Sequence, residues 1–93
     1  MTREEYKVRL KAHLLFNDIV IPKWTKWLAI DIGLGGIRCL YVYDNKPMYH
    51  EHDSYRFWDV NDGRTNPFKI CETNDIQIES KVSLLSIEEL FDD

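Results

Sequence analysis

Apolar and polar residues alternate from Tyr6 to Phe16, where Tyr6, Val8, Leu10, Ala12, Leu14 and Phe16 are interleaved with Lys7, Arg9, Lys11 and His13. A period of two is the pattern of a half-buried strand. The same segment is rich in Arg, Lys, Leu, Ala and Glu, which favour helix, and Thr2 with Glu5 three positions later is a capping box. A helix over residues 3–16 is the first expectation, with a strand as the alternative. As a strand, Lys7, Arg9, Lys11 and His13 would share one basic face.

Asn17-Asp18 closes this element, and residues 19–23 read as a short extended stretch stopped at Pro22, which cannot donate to a ladder. Residues 27–32 and 37–43 then read as two strands around Gly33-Leu34-Gly35-Gly36. Asp44-Asn45-Lys46-Pro47 supplies a second turn, and residues 48–58 return as a third strand, completing a three-stranded meander. Residues 61–67 have the composition of an exposed loop. Residues 68–71 and 76–78 look like short edge strands, and Ser86 with Glu89 starts a helical turn over 87–91. The expected fold class is α+β: an N-terminal helix, or a strand in its place, with a three- to five-stranded antiparallel β-meander and a short C-terminal helical turn. Residues 1–93 form one domain in this reading, because two cores would each fall below the usual autonomous size.

Composition adds a charge asymmetry to this outline. Residues 1–27 hold six basic and three acidic side chains, a balance of +3, whereas the rest of the chain holds six and thirteen, a balance of −7. An acidic body suits a basic protein surface better than nucleic acid, whose phosphates call for clustered Lys and Arg. Cys39 and Cys71 lack C-x-x-C spacing, and Cys39 sits in an apolar run where a buried, reduced thiol is expected. Without a basic-then-apolar leader or an apolar run near ~18 residues, the expectation is a cytoplasmic chain with no membrane span.

Three constellations could carry chemistry. Asp31-Ile32-Gly33-Leu34-Gly35-Gly36 resembles a phosphate-binding glycine loop but lacks the third glycine of a dinucleotide fold and the Lys-Ser/Thr of a P-loop. A hairpin turn accounts for its glycines. His50 and His52 would project from one face of a strand and could hold a metal, with Asp53 or His13 completing the site for a metal-dependent hydrolase. The competing account makes them polar positions in a period-two pattern. Lys23-Trp24-Thr25-Lys26-Trp27 interleaves cations with rings, as single-strand binders do, although the two indoles can equally pack the start of the meander against the N-terminal element. No serine lies in a nucleophile elbow, neither cysteine has an activating context, and no motif points to a cofactor.

Trp27-Leu28-Ala29-Ile30-Asp31, a glycine turn, Leu40-Tyr41-Val42-Tyr43-Asp44-Asn45-Lys46-Pro47 and the aromatic close Phe57-Trp58 resemble a pattern of small uncharacterised proteins from tailed bacteriophages and prophages. The resemblance spans about a third of the chain and departs from the pattern at Ile32-Gly33-Leu34-Gly35, where those proteins carry a polar Asp/Gly turn. It implies a phage or prophage origin more than an activity; with small size, an acidic body and no catalytic motif, that origin gives the expectation of a non-enzymatic accessory protein that binds and modulates or inhibits a host protein, as anti-CRISPR and other anti-defence proteins do, for example at a defence nuclease complex. On that reading Tyr49, Glu51, Tyr55, Trp58, Asp59 and Asp62 are the partner-binding residues, facing a basic host surface. A nucleic-acid-binding module using Lys7, Arg9, Lys11, Lys23, Trp24 and Lys26 is the second reading, and the hydrolase at His50 and His52 is the third. Self-pairing along the 76–78 edge would give a homodimer.

Overall fold

The computed structural model describes residues 1–52, 55–59 and 68–92, with the side chains of His52 and Tyr55 outside the description. Helix α1 (Arg3–Phe16) settles the first ambiguity. Thr2 Oγ1 accepts the Glu5 N–H and the Glu5 carboxylate accepts the Thr2 N–H, so two of the otherwise orphaned N-terminal donors are satisfied reciprocally. The alternating pattern is resolved by burying every fourth residue: Tyr6, Leu10 and Leu14 face inward, while Val8, Leu15 and Phe16 stay exposed.

Strands β1 (Trp27–Ile32) and β2 (Arg38–Tyr43) form the expected antiparallel hairpin, in register from Trp27 opposite Tyr43 to Ile32 opposite Arg38. Its tip is a 3-10 turn, Leu34–Gly36, in which Gly35 and Gly36 have φ of 73° and 77°. A side chain there would be strained, which explains the two glycines. Beyond Pro47 the expected third strand is instead a second hairpin, β3 (Met48–His52) and β4 (Tyr55–Asp59), paired from Met48 opposite Asp59 to His52 opposite Tyr55. Nor does it return beside β2. That place is taken by β5 (Phe68–Glu72), and β4 meets β1 at Ile32 opposite Arg56, so the order is β3-β4-β1-β2-β5 and not that of a meander. The short β6 (Leu85–Ser86) also pairs with β1, and α2 (Ile87–Phe91) follows directly, capped by Ser86 Oγ. The α+β class holds, and the described residues form an N-terminal helix, a six-stranded antiparallel sheet and a short C-terminal helix.

Residues 76–78 are not an edge strand. Ile76 and Ile78 are buried with Leu28, Ile30, Leu40 and Val42 beneath Tyr6, Leu10 and Leu14 of α1, so this segment serves the core and offers no ladder for self-pairing. On the opposite face of the sheet Ala29, Tyr43 and Trp58 form a smaller cluster, joined by Trp27, Tyr41, Tyr49 and Leu84.

β1 has a composite second edge. β6 covers Trp27 and Leu28, and β4 reaches Ile32. Between them the Ile30 N–H donates to Ser83 Oγ at 2.9 Å and the Ile30 carbonyl accepts from Ser80 Oγ, so two buried hydroxyls replace a missing strand. The turn Ser80–Val82, with Ser83 as its C-cap, is pinned to α1 by the Tyr6 hydroxyl, which donates to the Ser83 carbonyl at 2.7 Å. Arg3 closes the same end, pairing Nε and Nη2 with the two carboxylate oxygens of Glu89 at 2.7 and 2.8 Å.

Candidate functional site

The residues expected to form a partner surface on the third strand are distributed between interior and surface. Trp58 is only 8% exposed: its backbone N–H donates to Asp31 Oδ1, its indole N–H to the Ser80 carbonyl, and its own carbonyl accepts from Tyr43 Oη. It anchors the second hairpin to the rest of the fold. Tyr49 packs against it with the rings tilted by 57° and their centroids 5.3 Å apart, and is half-buried, while Glu51 is exposed and paired with Arg56 at 3.1 Å. Tyr49, Glu51 and Arg56 meet Arg38 in a polar cleft of about 430 Å³. Asp59, half-buried, ends β4, Tyr55 begins it, and Asp62 lies outside the described residues.

The basic residues are divided by the helix. A rotation of about 100° per residue puts Lys7 and Lys11 on one side of α1 and Arg9 on the other, so the single basic face of a strand does not form. Lys7 is paired with Glu4 at 3.1 Å. Trp24 is half-exposed, edge-on to Phe68 of β5, and Trp27 packs on the sheet face away from α1 with the Lys46 ammonium 5.2 Å from its ring centre. Neither indole packs the sheet against α1, because the apolar stripe of Tyr6, Leu10 and Leu14 already covers that face. Lys26 is exposed, and Lys23 lies with Lys11 along a groove described below.

Of the two histidines in β3, His50 lies flat on Phe57, its cross-strand partner, with centroids 5.2 Å apart and planes 18° from parallel. Its Nε2 is buried without a hydrogen-bond partner. His13 faces Asp75 at 3.4 Å, and Asp53 lies outside the described residues. Among the described residues no group of three His, Cys, Asp or Glu side chains is placed to hold a metal ion.

Two further concavities stand out among the described residues. The larger of this pair, about 650 Å³, runs between the C-terminal end of α1, the segment 18–25 and α2. Leu15, Val20 and Phe91 line it at 73%, 85% and 56% exposure, and Lys11 and Lys23 border it. Thr25, also in its lining, is 5% exposed and its buried Oγ1 has no hydrogen-bond partner. The smaller, about 410 Å³, lies at the glycine-turn end of the first hairpin, where Asp31, Cys39 and Tyr41 share a sheet face and Leu34, Ile37 and Phe57 complete the wall.

Asp31 is the most perturbed carboxyl of the described chain. Burial raises it to about 7, the hydrogen bond from the Trp58 N–H opposes that rise, and the like charge of Asp59 adds to it. Tyr41 and Tyr43 are held above the usual phenol value by burial and by the nearby Asp31 charge. Sequence reasoning passed over Asp31 as part of a glycine turn, although a lone acidic residue closing an otherwise apolar strand run, Trp27-Leu28-Ala29-Ile30, was a visible signal.

Comparison with protein families, with curated proteins and with solved structures finds no match to the chain. No helix among the described residues is long and apolar enough to cross a membrane.

Proposed function

We propose that the chain is a non-enzymatic interaction module that binds and modulates a host protein, and that its docking surface is the groove between α1 and α2. The observation that carries this reading is the concentration of solvent-facing apolar side chains at one place. Leu15, Val20 and Phe91 line the groove, and Phe16, 82% exposed, adjoins Leu15. Contiguous apolar surface is costly to leave in water and marks sites where another macromolecule removes it. The orphaned Thr25 hydroxyl adds a polar group that a bound backbone could satisfy. The resemblance to phage proteins is what makes the partner a host protein.

Placing the docking surface here shifts it from the second hairpin, and a photo-crosslinking amino acid distinguishes the two. Introduced at Val20, it should form a discrete adduct with a host protein that is absent when it is introduced at Glu51. Leu15→Asp with Phe91→Asp should abolish the adduct while leaving the folded spectrum unchanged. An adduct at position 51 and none at position 20, or binding to oligonucleotides that weakens steeply with salt, would count against the groove.

A further inference from the structure

We infer that the cleft at the glycine-turn end of the first hairpin is a binding site for a planar organic cation, a guanidinium or amidinium group, with Asp31 as its anion and Tyr41 and Phe57 as its aromatic walls. The site is independent of the groove, lying at the other end of β1.

Its geometry is specific. Asp31 projects from β1 on the face it shares with Cys39 and Tyr41 of β2, Phe57 approaches from β4, and Leu34 and Ile37 come from the turn. Only Asp31 among these carries a charge, and the charge acting on it is the like charge of Asp59. Asp31 Oδ1 accepts the Trp58 N–H at 2.8 Å, and Oδ2 takes no hydrogen bond within the described residues. A carboxylate offers about four acceptor sites, so capacity remains on a group whose hydration is already reduced.

An unpaired charge in this position is costly, and a cation that enters recovers that cost. The walls select the kind of cation. Aromatic faces attract positive charge, and a guanidinium is flat, weakly hydrated and able to donate two parallel hydrogen bonds to one carboxylate. A volume of about 410 Å³ admits such a group with a short alkyl stem, which fits either a free small molecule or an arginine side chain.

Ethylguanidinium is a direct probe, titrated at pH 8 into the 15N-labelled chain. Saturable amide shifts should centre on Asp31, Ile37, Tyr41 and Phe57, with a Kd of about 1 mM, the scale expected of a small fragment. Ethylurea, of the same shape without the charge, should give no saturable shift. Asp31→Asn retains an acceptor for the Trp58 N–H and should weaken ethylguanidinium binding about tenfold or more. Equal binding of ethylurea, undiminished binding by the variant, or shifts centred elsewhere would each overturn the assignment. The ethylguanidinium and ethylurea comparison uses the unaltered chain and stands even if the variant folds poorly. An N-acetylated arginine methylamide binding more tightly than ethylguanidinium would identify the source of the cation as a polypeptide; weaker binding would identify a small molecule.

Discussion

The Asp31 carboxylate accepts the backbone N–H of Trp58 at 2.8 Å, across 27 positions of sequence, and so ties the second hairpin to the first through a side chain. The acceptor is half-buried and its carboxyl titrates near 7, against 3.8 for an ordinary aspartate. Between those values the folded chain holds a proton that the unfolded chain has released. Stability from this group is therefore fully present below about pH 4, is lost as pH rises to about 7, and is level above. Asp31→Asn should leave stability near pH 4 unchanged and raise it by on the order of 2 kcal/mol at pH 8, allowing for partial solvent screening. Urea unfolding at the two pH values measures this, and equal effects at both would contradict it.

Ser83 supplies one of the two hydroxyls that stand in for a strand beside Ile30. Ser83→Ala removes the acceptor of the buried Ile30 N–H and should cost about 2 kcal/mol in urea unfolding. Ser86→Ala, which removes only the cap of α2, should cost about 1 kcal/mol or less. The reverse order would mean that the edge of β1 is satisfied in another way.

Tyr6 donates a hydrogen bond from the buried face of α1 to the Ser83 carbonyl, and burial holds its phenol well above the usual range. Tyr6→Phe keeps the ring and strands the Ser83 carbonyl, at an expected cost of about 1–2 kcal/mol. Thermal unfolding should show the loss without any change in helix content.

Cys71 is half-buried and burial pushes its thiol up to about 11. Only the thiolate is nucleophilic, so alkylation by iodoacetamide at pH 8 should be slower than for a free thiol by on the order of a hundredfold. Addition of denaturant should restore the ordinary rate. Rapid labelling of the native chain would place Cys71 in a different environment.

Local hydrogen-bond chemistry was legible from residues close in sequence. Thr2 with Glu5 marks the start of α1, Ser86 that of α2, and Gly35 and Gly36 mark a turn that needs positive φ. The order of strands was not legible, because the second edge of β1 is assembled from Arg56, Ser83 and Leu85, whose pairing depends on the tertiary fold. Ile19, Val20 and Ile21 illustrate another limit. An apolar run has the same letters whether it is covered or open, yet Val20 is exposed between two half-buried isoleucines.

The composite edge of β1 has a consequence for cooperativity. Within the first hairpin six successive residue pairs lie in register, whereas β4 joins β1 at Ile32 and Arg56, with Asp31, Tyr43, Ser80 and the Trp58 indole adding side-chain links among the described residues. Such an attachment opens at lower free energy than a full ladder. Amide hydrogen exchange should accordingly resolve two units: α1 with β1 and β2 exchanging only through global unfolding, and β3 with β4 exchanging earlier, as a hairpin that detaches while the helix-covered layer stays intact.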